Sequence, residues 1–345
     1  MDASLRGFAL GFEAVQHRLR QQEALRFVAE PAAMPPASVA PSLPADWQRR
    51  FPAQLHARLA LAHERLVDYQ DAAYAEQYAK RLEQVLAAEQ DADPTGAQGL
   101  ELTLEAARWL VLWMAFDDVV RVAALKLRAS RAARVKREVA ARDDEIVKVF
   151  DHFKPGAAEF AGLLPAGTAR RLLAWDETRR ARGREPWALP LKVGTHTVLG
   201  ALALRFVAGL KGQRRRGSRF ALEQSLIDRW LAAVVRGTRE HWPLGHEIAQ
   251  CGRLIKGYGS TNERGKSNLL HVIDHLAHSG TLPAAPQRTE AIAAVRRAAL
   301  ADDAGRGFDQ ALLAHGAPPR PLRAQPIRWY RRRPDMPAKG VTRPS

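Results

Sequence analysis

Residues 100–154 contain neither glycine nor proline, 55 consecutive positions with nothing to interrupt regular structure. Glycine loosens the backbone, and proline removes a donor and clashes with the preceding turn, so their absence favours a long element. Strands call for alternating Val, Ile, Thr and aromatic residues, and such runs are scarce both here and in the rest of the chain. The spacing predicts one long helix or two stacked helices over 102–141. It enters as an apolar stretch (Trp109 to Phe116) and leaves as a basic one (Lys126, Arg128, Arg131, Arg134, Lys136, Arg137). A short continuation over 146–153 stops at Lys154, Pro155 and Gly156.

The helical period recurs elsewhere. Leu55, Leu59, Leu61, Leu66, Tyr69, Tyr74, Tyr78, Leu82, Val85 and Leu86 follow mostly three- and four-residue steps, which predicts an amphipathic helix or a kinked pair from 51 to about 90. Asp93, Pro94, Thr95 and Gly96 mark a turn. Further helices are expected at 157–182, 193–211, 218–236, 244–256, 267–279, 288–302 and 307–315, with no strand anywhere. Five prolines between Pro31 and Pro44, then Pro52, make 30–52 an extended linker after a short helix at 3–28. The expected architecture is all-α: an irregular multi-helix bundle with long helices over 53–317, preceded by that short helix (1–29) and the Pro-rich linker. A basic Pro/Arg tail, 318–345, follows and is read as extended or disordered.

Charge narrows the partners. Lys and Arg number 53 against 37 Asp and Glu, giving +16 and a pI near 10.6, which favours acidic partners or phosphorylated ligands. A single cysteine, Cys251, rules out an internal disulfide and an Fe–S cluster held by this chain alone, and a reducing, cytoplasmic setting follows. The most hydrophobic window, 193–210, carries His196, Arg205 and three glycines, so it reads as a buried helix and not as a membrane span.

Glycines, cations, hydroxyls and an amide crowd together in residues 252–268 (GRLIKGYGSTNERGKSN). The Gly-Lys-Ser ending suggests a phosphate-binding loop, but that loop needs four residues between its first Gly and Gly-Lys-[Ser/Thr], and it must leave a strand. Here Gly259 and Gly265 are five apart, the four-residue position is Ser260, and Ile248, Cys251, Leu254 and Ile255 place a helix in front. A glycine-terminated helix end is the structural reading, with a new helix from about Ser267 or Asn268. The cations Arg253, Lys256, Arg264 and Lys266, with Tyr258, remain the candidate anion-binding set.

Other constellations carry less. The seven cations from Lys126 to Arg142 are interleaved with or followed by Glu138, Asp143, Asp144 and Glu145, as on a solvated helix face. Residues 213–216 (QRRR) read as a loop, and 328–333 (RWYRRR) as a docking peptide. His271, His275 and His278 share one helix face beside Asp274, a spacing able to hold zinc if His241 or His246 closed the set; a partly buried face is the simpler reading, and no metal site is assigned. Asp117 and Asp118 in an apolar helix require a cationic partner such as Arg121, Arg128 or Arg131. Nothing marks a hydrolase elbow or a dinucleotide fingerprint.

Several long strings carry a resemblance. They are 66–78 (LVDYQDAAYAEQY), 107–131 (ARWLVLWMAFDDVVRVAALKLRASR), 187–192 (WALPLK) and 251–268. Together they resemble the helical C-terminal region of the indolepyruvate ferredoxin oxidoreductase beta-subunit family, over about 55–280. Residues 3–12 (ASLRGFALGF) resemble the last helix of that family's gamma-type domain, most of which is missing here. The resemblance implies an accessory or assembly part of an enzyme that oxidatively decarboxylates arylpyruvates to acyl-CoA. Thiamine diphosphate and Fe–S clusters would lie in a large partner subunit, with ferredoxin as a further partner. No catalytic residue carries over, no cofactor is expected in this chain, and neither a membrane nor nucleic acid is the expected partner. The alternative is a non-catalytic basic helical module that binds nucleic acid or an acidic protein.

Overall fold

Helical periodicity in the sequence becomes helix almost throughout. The computed structural model describes residues 42–142, 145, 147–257, 259–278, 282–302 and 305–321, and the fold among them is all-α but for one small sheet. The expected helix at 3–28, most of the linker and the tail beyond Pro321 lie outside the described residues. The chain forms two compact units, 1–80 and 81–345, whose boundary falls inside a helix.

In the first unit Pro44 and Pro52 bracket helix α1 (Ala45–Arg50). Proline is tolerated at a helix start, where its missing N–H is not needed; this helix therefore forms inside the stretch read as linker. α2 (Ala53–Tyr69) and α3 (Ala72–Ala92) are the kinked pair of the periodicity. The break is made by Asp71, whose carboxylate accepts from the Tyr74 N–H at 2.8 Å and starts the new helix. Trp47 is buried, stacks on Tyr78 and donates to the Glu76 carboxylate.

In the second unit α3 ends over a buried carboxylate. Glu89 accepts from the Leu102 and Thr103 N–H groups at 3.1 and 2.7 Å and from the Trp242 indole. It thus caps α4 (Glu101–Met114), whose own N-cap, Leu100, is left-handed with no side-chain bond. The one long helix or two stacked helices expected over 102–141 are three, α4, α5 (Val119–Lys126) and α6 (Ala129–Glu138). Asp118 makes the first break: it accepts from the Arg121 N–H at 2.6 Å as N-cap of α5. Its carboxylate also holds buried Arg214, at 2.6 and 3.1 Å, so the pair joins Asp118 to the QRRR run, which is a 3-10 helix (Leu210–Arg216) and not an open loop.

A two-stranded antiparallel sheet corrects the expectation of no strand. β1 (Phe150–Phe153) pairs with β2 (Leu191–Gly194), Phe150 opposite Gly194 and Phe153 opposite Leu191. Four-residue strands this far apart carry too little alternation to be read from sequence. Between them α7 (Ala157–Leu163) and α8 (Ala166–Ala181) divide at Leu164 and Pro165, where the residue before proline is driven out of helix. α9 (Val198–Gly209) leads into the 3-10 turn and then α10 (Ser218–Glu240), the central helix. Phe220, Ile227, Trp230, Leu231 and Val234 of α10 are buried, and Trp230 meets Trp113 of α4 at 5.8 Å.

α11 (Trp242–Gln250) folds back on α10. A methyl group on Gly245 would lie 2.0 Å from the Thr238 hydroxyl, so the crossing requires glycine. A 3-10 turn (Cys251–Leu254), α12 (Ser260–His275), α13 (Ala285–Ala301) and α14 (Arg306–Ala314) complete the unit. No helix among the described residues is long and apolar enough to cross a membrane.

Candidate functional site

The segment 252–268 is a helix–turn–helix. Cys251 and Leu254 are buried at its start, and burial pushes the Cys251 thiol up to about 12, which leaves it protonated and inert. Gly257 and Gly259 both have positive φ, +72° and +55°, a region that favours glycine; Gly259, with ψ −128°, is the N-cap of the following helix and not a left-handed end of the preceding one. The following helix starts at Ser260, not at Ser267, so Gly265, Lys266 and Ser267 lie inside α12. Gly265 is there for contact: a methyl group on it would stand 2.1 Å from the Leu254 carbonyl oxygen. The glycine that imitates a phosphate loop lets α12 cross the preceding turn at close range.

The cations separate. Lys266 is buried (3% exposed) and its ammonium donates to Glu223 and Glu263, each at 2.7 Å. Glu223, on α10, is equally buried and also accepts from the Trp113 indole at 2.8 Å. This is a correction to the candidate anion set, because a lysine paired with two carboxylates inside the fold is not open to a ligand. Arg253 is exposed on the 3-10 turn. Tyr258 lies outside the described residues. Lys256 and Arg264 do come together, lining one narrow cleft with Leu254, Thr261, Asn268 and Asp302, about 20 Å³ and so with room for about one water molecule.

Three features shape that cleft. α12 begins without a side-chain cap and presents Thr261, Arg264 and Asn268 to the cleft along one face. Asp302 brings a negative group, but one carboxylate oxygen accepts from the Gly307 N–H at 2.8 Å at the start of α14. Arg320, which sequence reasoning placed in the tail, is fixed at the rim. Its guanidinium donates to Asn268, the Gly305 carbonyl and both Asp309 carboxylate oxygens, all at 2.9 Å, and lies over the Phe308 ring. The Arg320 guanidinium holds the Asp309 carboxyl below the usual range. No local pattern announces this clamp, since Arg320 follows two prolines and has no helical phase.

The histidine face is structural. His271 donates through Nε2 to the Pro318 carbonyl at 2.7 Å, Asp274 pairs with Arg229, and His278 lies 3.3 Å from the Arg236 guanidinium. Burial and then Arg236 hold His278 below its ordinary value. No group of three metal-ligating side chains occurs among the described residues. His246 stacks on Trp242. Asp151, on β1, gathers Lys126 and Arg131 at 2.5 and 3.0 Å; two of the cations read as a solvated face are therefore committed to an internal pair.

Among known families, the model described as "Family of unknown function (DUF6537)" matches residues 55–275, well over half of the chain. No curated protein and no solved structure matches it.

Proposed function

Since the chain belongs to the family of unknown function DUF6537, we propose, from its text and its site, that it is the helical accessory part of an indolepyruvate-type 2-oxoacid:ferredoxin oxidoreductase. The observation that carries this reading is the set of co-linear strings at 66–78, 107–131, 187–192 and 251–268. In the structure these strings form the α2–α3 bend, the α4–α5 junction, the approach to β2 and the cleft-bearing turn. The chain would contribute assembly and an anion-binding surface and leave the redox chemistry to a thiamine-dependent partner subunit. Lys256 and Arg264 would hold a phosphate of coenzyme A through charge-assisted hydrogen bonds. Arg253 and Lys266 have no part in it.

Reconstitution tests the reading. The chain, co-purified with the large thiamine-dependent subunit, is expected to support coenzyme A-dependent reduction of a viologen dye by indolepyruvate. Lys256→Ala combined with Arg264→Ala is expected to raise the KM for coenzyme A and leave kcat intact, because those groups bind and do not react. An assembled complex with no 2-oxoacid-dependent reduction overturns the assignment. Retention of the chain on DNA with a steep salt dependence would instead favour a nucleic-acid module.

A further inference from the structure

Three helices of the second unit lack the burial that stabilises helices in proteins. α8 buries only Ala169 and Asp176 of its sixteen residues, α9 only Leu204 of its twelve, and α6 none of its ten. Helices this short draw their stability from packing an apolar face, not from propensity. For α9 the deficit is largest, because apart from Arg205 it is made entirely of apolar residues and glycine. Val198, Leu199, Leu202 and Phe206 project from it at 76, 81, 51 and 72% exposure. They fall at i, i+1, i+4 and i+8, one stripe of the helix, and leave roughly 500 Å² of apolar surface open, at the upper end of a monomer's largest patch.

The apolar surface is regional. Of the fifteen exposed large hydrophobic residues among those described, ten lie between 150 and 206, including Phe150 and Leu191 on the two-stranded sheet and Trp175 on α8. Charge is equally regional. Residues 186–222 hold seven Lys and Arg and no Asp or Glu; Arg214 is turned inward on Asp118, while Lys192, Arg205 and Arg216 are exposed.

These observations select an occupant. A second copy would bring the same predominantly cationic surroundings, 14 Lys and Arg against 5 Asp and Glu over 150–222, and like charges face to face oppose pairing. A bilayer would be met by one amphipathic helix, whereas the exposed apolar side chains here come from α9 and from the two-stranded sheet it adjoins, and a protein partner covers about 800 Å². We propose that α9 and the neighbouring two-stranded sheet are the face on which the large thiamine-dependent subunit docks, through an apolar patch ringed by carboxylates. The inference rests on the oxidoreductase reading above. Leu199 and Phe206 are the anchors, and Arg205 and Arg216 supply the cationic rim.

Co-expression of the full chain with the tagged large subunit tests it. Wild type is expected to co-purify. Leu199→Asp with Phe206→Asp is expected to weaken retention at least roughly tenfold, as loss of central apolar anchors does. Arg205→Glu with Arg216→Glu is expected to weaken it and to flatten its salt dependence. All four residues are exposed, so circular dichroism should show unchanged helix content, and Lys256→Ala with Arg264→Ala should be retained like wild type. If wild type does not co-purify, both the docking face and the oxidoreductase reading fall. If wild type and the Leu199/Phe206 variant co-purify equally, only the docking face falls. It also falls if those two substitutions abolish a dimer seen by analytical ultracentrifugation of the chain alone, or its binding to phosphatidylglycerol vesicles.

Discussion

Replacing Lys266 by Met tests whether the Gly-Lys-Ser segment is a ligand loop or part of the core. Both side chains of the Lys266–Glu223 pair are almost fully buried, 4% and 2% exposed, at an N–O distance of 2.7 Å. At an effective dielectric constant of about 20, unit charges at that separation attract by about 6 kcal/mol. Most of this offsets the desolvation of the two groups, so the pair itself is a weak net contributor. Removing the lysine is different, because Glu223 stays buried with only the Trp113 indole and, at 3.7 Å, Arg219 to face it. Loss of one partner of such a pair costs about 3–5 kcal/mol, and the two remaining contacts place the expectation at the lower end. Urea unfolding followed by circular dichroism should give an unfolding free energy lower by that amount, seen as a lower midpoint with an unchanged slope. Glu223→Gln in the Lys266→Met background should recover part of the loss, since no unpaired charge remains. A Lys266→Met variant within about 1 kcal/mol of wild type, the range of an exposed ion pair, would refute the argument and return Lys266 to the candidate ligand set.

Three further outcomes follow from the same geometry. Glu89→Ala removes the carboxylate that caps α4 and holds Trp242, and should cost at least the roughly 1 kcal/mol of a lost N-cap, read by urea unfolding. The Asp309–Arg320 clamp depends on pH in a defined direction. Asp309 is depressed in the fold chiefly by its bond to Arg320, so its contribution is complete above the ordinary aspartate value near about 4 and is lost as pH falls through the folded value below it. The Arg320 Nε–H should therefore exchange with solvent more slowly than that of an exposed arginine while Asp309 is ionised and lose this protection as pH falls through the folded Asp309 value, and Asp309→Asn should remove most of the protection at neutral pH. Cys251, protonated and buried, should not react with a thiol reagent in the native protein and should react stoichiometrically in denaturant; fast native labelling would contradict its placement.

What could be read from the sequence divides along a physical line. Helix existence was legible because each helix writes its own period: α2, α3, α10 and α13 stand near where apolar spacing put them. Helix ends were less so. The breaks at Asp71 and Asp118 are made by single carboxylates that cap whatever follows, and an aspartate inside an apolar run looks the same whether it caps, pairs or catalyses. At Asp118 the structure shows capping and pairing together, with Arg214 as a partner 96 residues away that the sequence could not nominate over nearby Arg121. The β1–β2 pairing was missed for the same reason: its stability comes from residues about 40 positions apart, and neither strand carries the pattern alone.

The candidate site shows how one residue type serves opposite ends. In the sequence, Arg253, Lys256, Arg264 and Lys266 are equivalent positive charges near glycines. Helical phase separates them once α12 is known to begin at Ser260. Gly265 and Lys266 then turn toward the core, the first because only a hydrogen fits against the Leu254 carbonyl, the second because Glu223 waits there, while Arg264 stays on the side of the cleft. The displaced helix start moves a lysine from surface to interior without changing a letter of the motif. Among short glycine- and lysine-bearing segments, the register of the following helix decides whether the charge meets a ligand or a buried carboxylate, and one side-chain burial measurement at Lys266 distinguishes the two.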